Sequence, residues 1–176
     1  IYKIINEKNH PNLIIKNPNC NNKEFIYTIF NEHFFFNKNI IPTISNEEIH
    51  YEYTDIYYYF DMKKIKLDIK NSFTNIIKKI TNTYNYYSDK NNYIILDNYE
   101  IINPLIENKL KVIIEKSNTT TKFILFTKQI DKTLDAIKSR CIFLRFSPLN
   151  LHDKRIIFAK YKDLKDFDSI LRNYID

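Results

Sequence analysis

The stretch NPNCNNKE, residues 17–24, ends an asparagine-rich loop on a lysine, between an apolar run (NLII, 12–15) and an amphipathic segment (FIYTIFNEHFFF). A strand, a loop ending in Lys and then a helix is the layout by which backbone N–H groups and an ammonium hold phosphate. Such loops are built on glycine, which lets the backbone approach the anion closely, and this chain contains no glycine. Two other places could add chemistry. Asp97 and Asn98 follow the apolar run YIIL, and Thr127 and Lys128 follow FILF. An acid ending a buried strand near a Lys-ended loop is the pairing that holds magnesium and phosphate. In a parallel α/β sheet, ligands lie at the carboxyl ends of the strands, where these three places would converge. Against that stand plainer readings. Lys23 is equally an ordinary first-turn lysine, Asp97 a helix-capping acid, and the two could pair with each other as a structural ion pair. The two cysteines, Cys20 and Cys141, and the four histidines show no metal-ligand spacing, so no zinc site is read.

The elements that must position these residues follow from periodicity. IYKIINEKN has helical spacing and stops at His10-Pro11. NLIIK is a short buried strand, KEFIYTIFNEHFFF an amphipathic helix, and EIHYEYTDIYYYFDM a hairpin or two strands broken at Thr54-Asp55. NSFTNIIKKITNTYNYY is helical, with Asn71 or Ser72 as its N-cap. NYIILD and TKFILFT are continuous apolar strands. NPLIENKLKVIIEK is a helix with Pro104 in its first turn. DKTLDAIKS is a short helix capped by Asp131, CIFLRF a fifth strand, and residues 151–176 two short helices. Alternating strands and helices predict a mostly parallel five-stranded sheet covered on both faces. A boundary falls near Ser147-Pro148, giving an α/β domain over 1–148 and a helical segment over 149–176.

The 176 residues suffice for one domain, and 44% hydrophobic with 15% aromatic content supports a packed core. The dominance of Ile, Asn, Lys and Tyr reads as codon bias from an AT-rich genome, of the kind a large DNA virus or a parasitic protist would have. Every turn needing positive φ must then use Asn or Asp. A formal net charge of +6 fits a nucleic-acid partner or lysine drift from the same bias, and charge alone does not choose between them. No apolar run reaches membrane-spanning length and no signal peptide is visible. With so few cysteines, a reducing intracellular compartment fits best. The missing initiator Met suggests a piece of a longer chain.

Over nearly its whole length the sequence resembles the clamp-loader branch of the AAA+ ATPases, which includes replication factor C subunits and the bacterial delta-prime subunit. The family loop G-P-P-G-x-G-K-[ST] has its counterpart in NPNCNNKE: Pro18 and Lys23 match, Asn17, Cys20 and Asn22 replace glycines, and Glu24 replaces the terminal hydroxyl residue. In YIILDNYEII, Asp97 is kept and Asn98 replaces the catalytic Glu. ENKLKVIIEK is similar to the family's Q-x-A-L-R-R-x-x-E-K, with Leu110, Lys111, Glu115 and Lys116 in step. KFILFTKQIDKTLDAIKSRCIFLRFSPL follows the family pattern without a gap, with Lys128 at the sensor position and Ser139, Arg140 and Cys141 as its S-R-C triplet.

The resemblance implies an AAA+ P-loop-type parallel five-stranded sheet flanked by helices, followed by the start of a small helical lid, with the lid remainder and collar domain beyond. It implies a small subunit of a heteropentameric ring that loads a sliding clamp onto primer-template DNA with ATP and magnesium. Glu24, Asn98 and Lys128 each remove a working part, so the subunit's own ATP site is expected to be inactive or weak. Arg140 is expected to act as an arginine finger on the neighbouring subunit's γ-phosphate. Lys70, Lys78 and Lys79 could track DNA phosphates or be a solvated face, and Lys111 and Ser139 could lie between subunits. The location implied is the nucleus or a viral replication site. A subunit that still hydrolyses ATP, or a decayed AAA+ scaffold serving only as an interaction module, are the other readings of the same residues.

Overall fold

The computed structural model describes residues 10–17, 22–33, 41–44, 49–54, 56–65, 70–82 and 91–147. The expected N-terminal helix, Pro18, Cys20 and the helical segment from 149 onward lie outside these residues. Seven strands are present: β1 (Asn12–Lys16), β2 (Ile41–Ile44), β3 (His50–Tyr53), β4 (Tyr57–Asp61), β5 (Asn92–Asp97), β6 (Thr121–Thr127) and β7 (Cys141–Arg145). They form one sheet in the order β2-β3-β4-β5-β6-β1-β7. Every pairing from β4 to β7 is parallel, while β2 and β3 add on antiparallel. The five parallel strands are those expected from sequence, with the hairpin at Thr54 joining β3 to β4. β2 was not expected. Its IPTI segment is too short, and too interrupted by proline, to announce itself.

All six residues of β5 and all seven of β6 are buried. A strand covered on both faces needs no polar alternation, which is why YIIL and FILF read as unbroken apolar runs. One face of the sheet (Ile14, Phe60, Ile94, Leu96, Phe123, Leu125) packs against α2 (Lys70–Asn82) and α3 (Pro104–Lys116), through Phe73, Ile77, Leu110 and Ile113 among others. The other (Leu13, Ile15, Tyr57, Tyr59, Tyr93, Ile95, Phe126) packs against Ile26, Ile29 and Phe30 of α1 (Asn22–His33). The aromatic run YYYF is therefore sheet packing: Phe30 meets Tyr57 and Tyr93 at ring separations of 5.3 and 4.8 Å. His10 stacks on Tyr93. Its Nδ1 donates to the Pro11 carbonyl at 2.7 Å, which leaves Nε2 to accept from the Tyr93 hydroxyl at 3.0 Å.

Two cap expectations need correction. α2 begins at Lys70, so Asn71 and Ser72 lie inside its first turn rather than ahead of it. Asp131 sits within a 3₁₀ turn, Ile130–Lys132, and the short helix α4 (Asp135–Lys138) is preceded by Leu134, which gives no side-chain cap. At α3 the expectation holds. Pro104 occupies the first turn and Asn103 caps it, accepting from the Leu105 N–H at 2.8 Å.

Candidate nucleotide site and the arginine at the opposite edge

Because β4, β5, β6, β1 and β7 run parallel, their carboxyl ends share one edge of the sheet and their amino ends the other. The carboxyl edge holds the expected acid. Asp97, at the end of β5, is buried and has three donors: Asn22 Nδ2 at 2.8 Å and the Asn98 N–H at 2.7 Å on Oδ1, and the Tyr59 hydroxyl at 2.5 Å on Oδ2. Asn22, the first residue of α1, in turn accepts from Asn17 Nδ2 at 2.9 Å. Asn98 donates to Asp61 Oδ1 at 2.8 Å, across the register that sets Asp61 beside Asp97. Asn98 has φ 55° and ψ 44°, a left-handed conformation. Glycine would ordinarily supply it, and here asparagine does. The result is one buried polar chain tying the exit of β1, the start of α1 and the ends of β4 and β5. Burial first, and the charge on Asp97 next, push the Tyr59 hydroxyl far above the usual tyrosine range. Tyr59 is therefore always a donor here.

Lys23 and Asp97 do not pair. Lys23 is exposed and turned to Glu52 of β3, with Nζ 2.7 Å from Oε1. The reason is competition: Asp97 is already satisfied by neutral donors inside the fold, and the longer lysine chain reaches a partly exposed carboxylate instead. Glu24 is exposed in the first turn of α1, where the positive end of the helix favours an acid. Lys128 is exposed just past β6, and its N–H donates to Glu100 Oε2 at 3.2 Å. Of the loop residues expected here, the structure brings Asn17 and Asn22 together with Asp97 and Asn98. It leaves Lys23, Glu24 and Lys128 facing solvent. Tyr59, Asp61 and Glu52 were missed. The signal for Asp61 and Tyr59 was available in the alternation of YYYFD, which places Asp61 at a strand end and Tyr59 two residues before it, on the same face.

Arg140 stands at the other edge, immediately before β7. A five-residue strand spans about 16 Å, so Arg140 is a full strand length from the end that carries Asp97. Its Nη1 donates to the Ala136 carbonyl at 2.6 Å and to Ser139 Oγ at 3.2 Å, and its Nη2 to Glu115 Oε2 at 3.3 Å. Ser139 is exposed and donates to the Ala136 carbonyl at 3.1 Å. Cys141 is partly buried against the core, and burial pushes its thiol up to about 12 despite the adjacent Arg140 charge. It has none of the reactivity of an exposed thiolate.

The family model described as DNA polymerase III, delta subunit matches residues 2–150. The chain belongs to this family, the clamp-loader branch of the AAA+ fold. Over 57 residues it is 42% identical to an Acanthamoeba polyphaga mimivirus protein named as a replication factor C small subunit, a match covering 32% of this chain and 17% of that protein. A DNA polymerase III gamma subunit-related protein of Thermotoga maritima has the same fold, with a TM-score of 0.63 at 14% identity, covering 98% of this chain and 55% of the other. A chain in the E. coli MS115-1 HORMA:CdnC:Trip13 complex follows at 0.50 and 10% identity, covering 92% of this chain and 58% of its own. The chain thus spans about half the length of the solved chains it matches.

The other residues singled out on the clamp-loader pattern lie on the helices α2 and α3. Lys78 and Lys79 are exposed on α2, and Lys70 opens that helix. Lys111 is partly exposed on α3. Among the described residues, no group of three or more His, Cys, Asp or Glu could hold a metal, and no helix is long and apolar enough to cross a membrane.

Proposed function

We propose that this chain is a clamp-loader subunit of the replication factor C kind. It works within a hetero-oligomeric ring that uses ATP and magnesium to load a sliding clamp onto primer-template DNA, at a viral replication site or in a nucleus. Its part is to give Arg140 to the nucleotide of a neighbouring subunit, not to hydrolyse ATP itself. One observation carries this reading. The arginine lies at the amino edge of the parallel strands, a strand length from the chain's own candidate site, so it is placed to meet a phosphate other than one held at that site.

The state of the chain's own site supports the second half of the reading. A magnesium triphosphate needs a carboxylate with open lone pairs and a lysine aimed at phosphate. Three of the four carboxylate lone pairs of Asp97 are taken by protein donors, Lys23 is engaged by Glu52, and Glu24 sets a negative charge beside the loop. Among the described residues, this arrangement supports a site that is silent toward ATP. In the ring reconstituted from the full-length chain and its partner subunits, Arg140→Ala is expected to lower ATP hydrolysis at the neighbouring site it serves by about 10³-fold or more, the scale of an arginine finger. Unchanged hydrolysis would leave the chain a scaffold. Calorimetry of the isolated full-length chain with ATP and magnesium is expected to show no binding. A micromolar isotherm would overturn the silent-site half of the proposal.

A further inference from the structure

Arg140 is gripped from two directions. Ala136 and Ser139 belong to the segment that carries it, and both engage Nη1. Glu115 comes from α3, 25 residues earlier, and engages Nη2. α3 is pinned to the sheet by the buried Leu110, Ile113 and Ile114 on its inner side, so Glu115 is the contact that ties the guanidinium to the rigid frame. Together these bonds account for three of the five guanidinium N–H groups. The Nε–H and the second Nη2–H have no partner among the described residues. Arg140 lines a cleft of about 400 Å³ together with Asn12, Ile114, Glu115, Asn118 and Ser139. It is polar along most of its wall.

We propose that Glu115 is the positioning residue of Arg140: it fixes the plane of the guanidinium so that the two remaining N–H groups face a phosphate entering the cleft from the neighbouring subunit. This rests on the trans-acting reading of Arg140. A free arginine samples many rotamers, and a bond on one edge removes that spread before the phosphate arrives. A carboxylate at this place also works against an incoming anion. The sign of its effect therefore separates two roles. If Glu115 positions, removing it slows the reaction. If it only dilutes the positive charge, removing it speeds the reaction.

The Glu115 side chain is 61% exposed, so its replacement leaves the core alone. The experiment uses the ring reconstituted with the full-length chain and follows steady-state ATP hydrolysis. Glu115→Ala is expected to lower kcat about fivefold, the scale of one partly exposed ion pair, with KM for ATP unchanged. Glu115→Gln, which keeps an acceptor oxygen, is expected to restore most of that loss. In an Arg140→Ala background, Glu115→Ala should have no further effect. If Arg140→Ala abolishes hydrolysis while Glu115→Ala is neutral or faster, the positioning role is wrong and the trans-acting reading stands. The positioning role is also wrong if Glu115→Ala still slows the Arg140→Ala ring, or if Glu115→Gln fails to rescue. If Arg140→Ala itself is silent, the trans-acting reading falls and the inference with it.

Discussion

Replacing Tyr59 with phenylalanine removes one donor from Asp97, at the centre of the buried polar chain, and leaves the ring in place. Tyr59 is 7% exposed and its hydroxyl donates to Asp97 Oδ2 at 2.5 Å. In Tyr59→Phe, Oδ2 loses this donor while Oδ1 keeps Asn22 and the Asn98 N–H. A buried hydrogen bond to a charged group contributes about 1.5–3 kcal/mol, and leaving the acceptor short of a donor costs on the same scale. We therefore expect a loss of about 2 kcal/mol at neutral pH. The assay is urea unfolding of the full-length chain. With a slope of about 2 kcal/mol per molar, the midpoint should fall by about 1 M with the slope unchanged. The cycle with Asp97→Asn adds a sharper check. Against a neutral acceptor the same hydroxyl should be worth about half as much, giving a coupling of about 1 kcal/mol. A midpoint shift under about 0.2 M, or a coupling near zero, would refute the claim that protein donors satisfy Asp97.

Other outcomes follow from single residues. Burial raises the Glu107 carboxyl above the ordinary range, against the opposing pull of the Leu134 N–H, Tyr99 and Lys138. Between its unfolded and folded pKa the folded chain binds more protons, so stability falls as pH rises through that window and stays lower above it. Glu107→Gln keeps an acceptor for Leu134, bonded at 2.8 Å, and should be the more stable protein at about pH 8 but not at about pH 4, measured by urea midpoints. Asn98→Ala loses both the bond to Asp61 and the tolerance for a left-handed backbone, at a cost of about 2 kcal/mol, and Asn98→Gly should recover about half of it in the same assay. Lys23→Ala breaks only an exposed pair with Glu52, so it should shift stability by less than about 1 kcal/mol and leave ATP hydrolysis by the ring unchanged. A large loss of hydrolysis there would restore Lys23 to a phosphate-binding role.

The parallel core was readable because burial on both faces leaves a plain mark: YIIL and FILF carry no polar alternation, and YIIL is followed by Asp97. α3 was readable from its period and from Pro104 in its first turn, a local signal, while the Asn103 cap was not read. The failures share a different cause. The partner of Lys23 depends on where Glu52 lands, 29 residues away on a strand that pairs antiparallel to β4. The start of α2 at Lys70 and the misplaced Asp131 cap reflect tertiary packing, which overrides the preferences of Asn, Ser and Asp for helix ends. The alternation of YYYFD sets Asp61 and Tyr59 on one face near a strand end, but that they meet Asp97 follows from the register of β4 on β5, which neither segment carries alone. Arg140 was legible through the S-R-C pattern. Its grip by Glu115 needed the turn from α4 into β7 to be seen in three dimensions.

The strand order also sets a timetable. β1 lies between β6 and β7, and its Asn12 side chain accepts from the Phe123 N–H, 111 residues further along. On a ribosome adding about 5–20 residues per second, β1 waits roughly 5–20 s before its first sheet partner exists. Until then it is a short apolar peptide with both backbone edges bare, while β4 and β5 can already pair beside it. The asparagine chain that ends at Asp97 cannot close before β1 is slotted in. The candidate site is thus among the last parts of this domain to be assembled, and a nascent chain stalled short of β6 would expose the strand LIIK to whatever chaperone or stray strand edge meets it first.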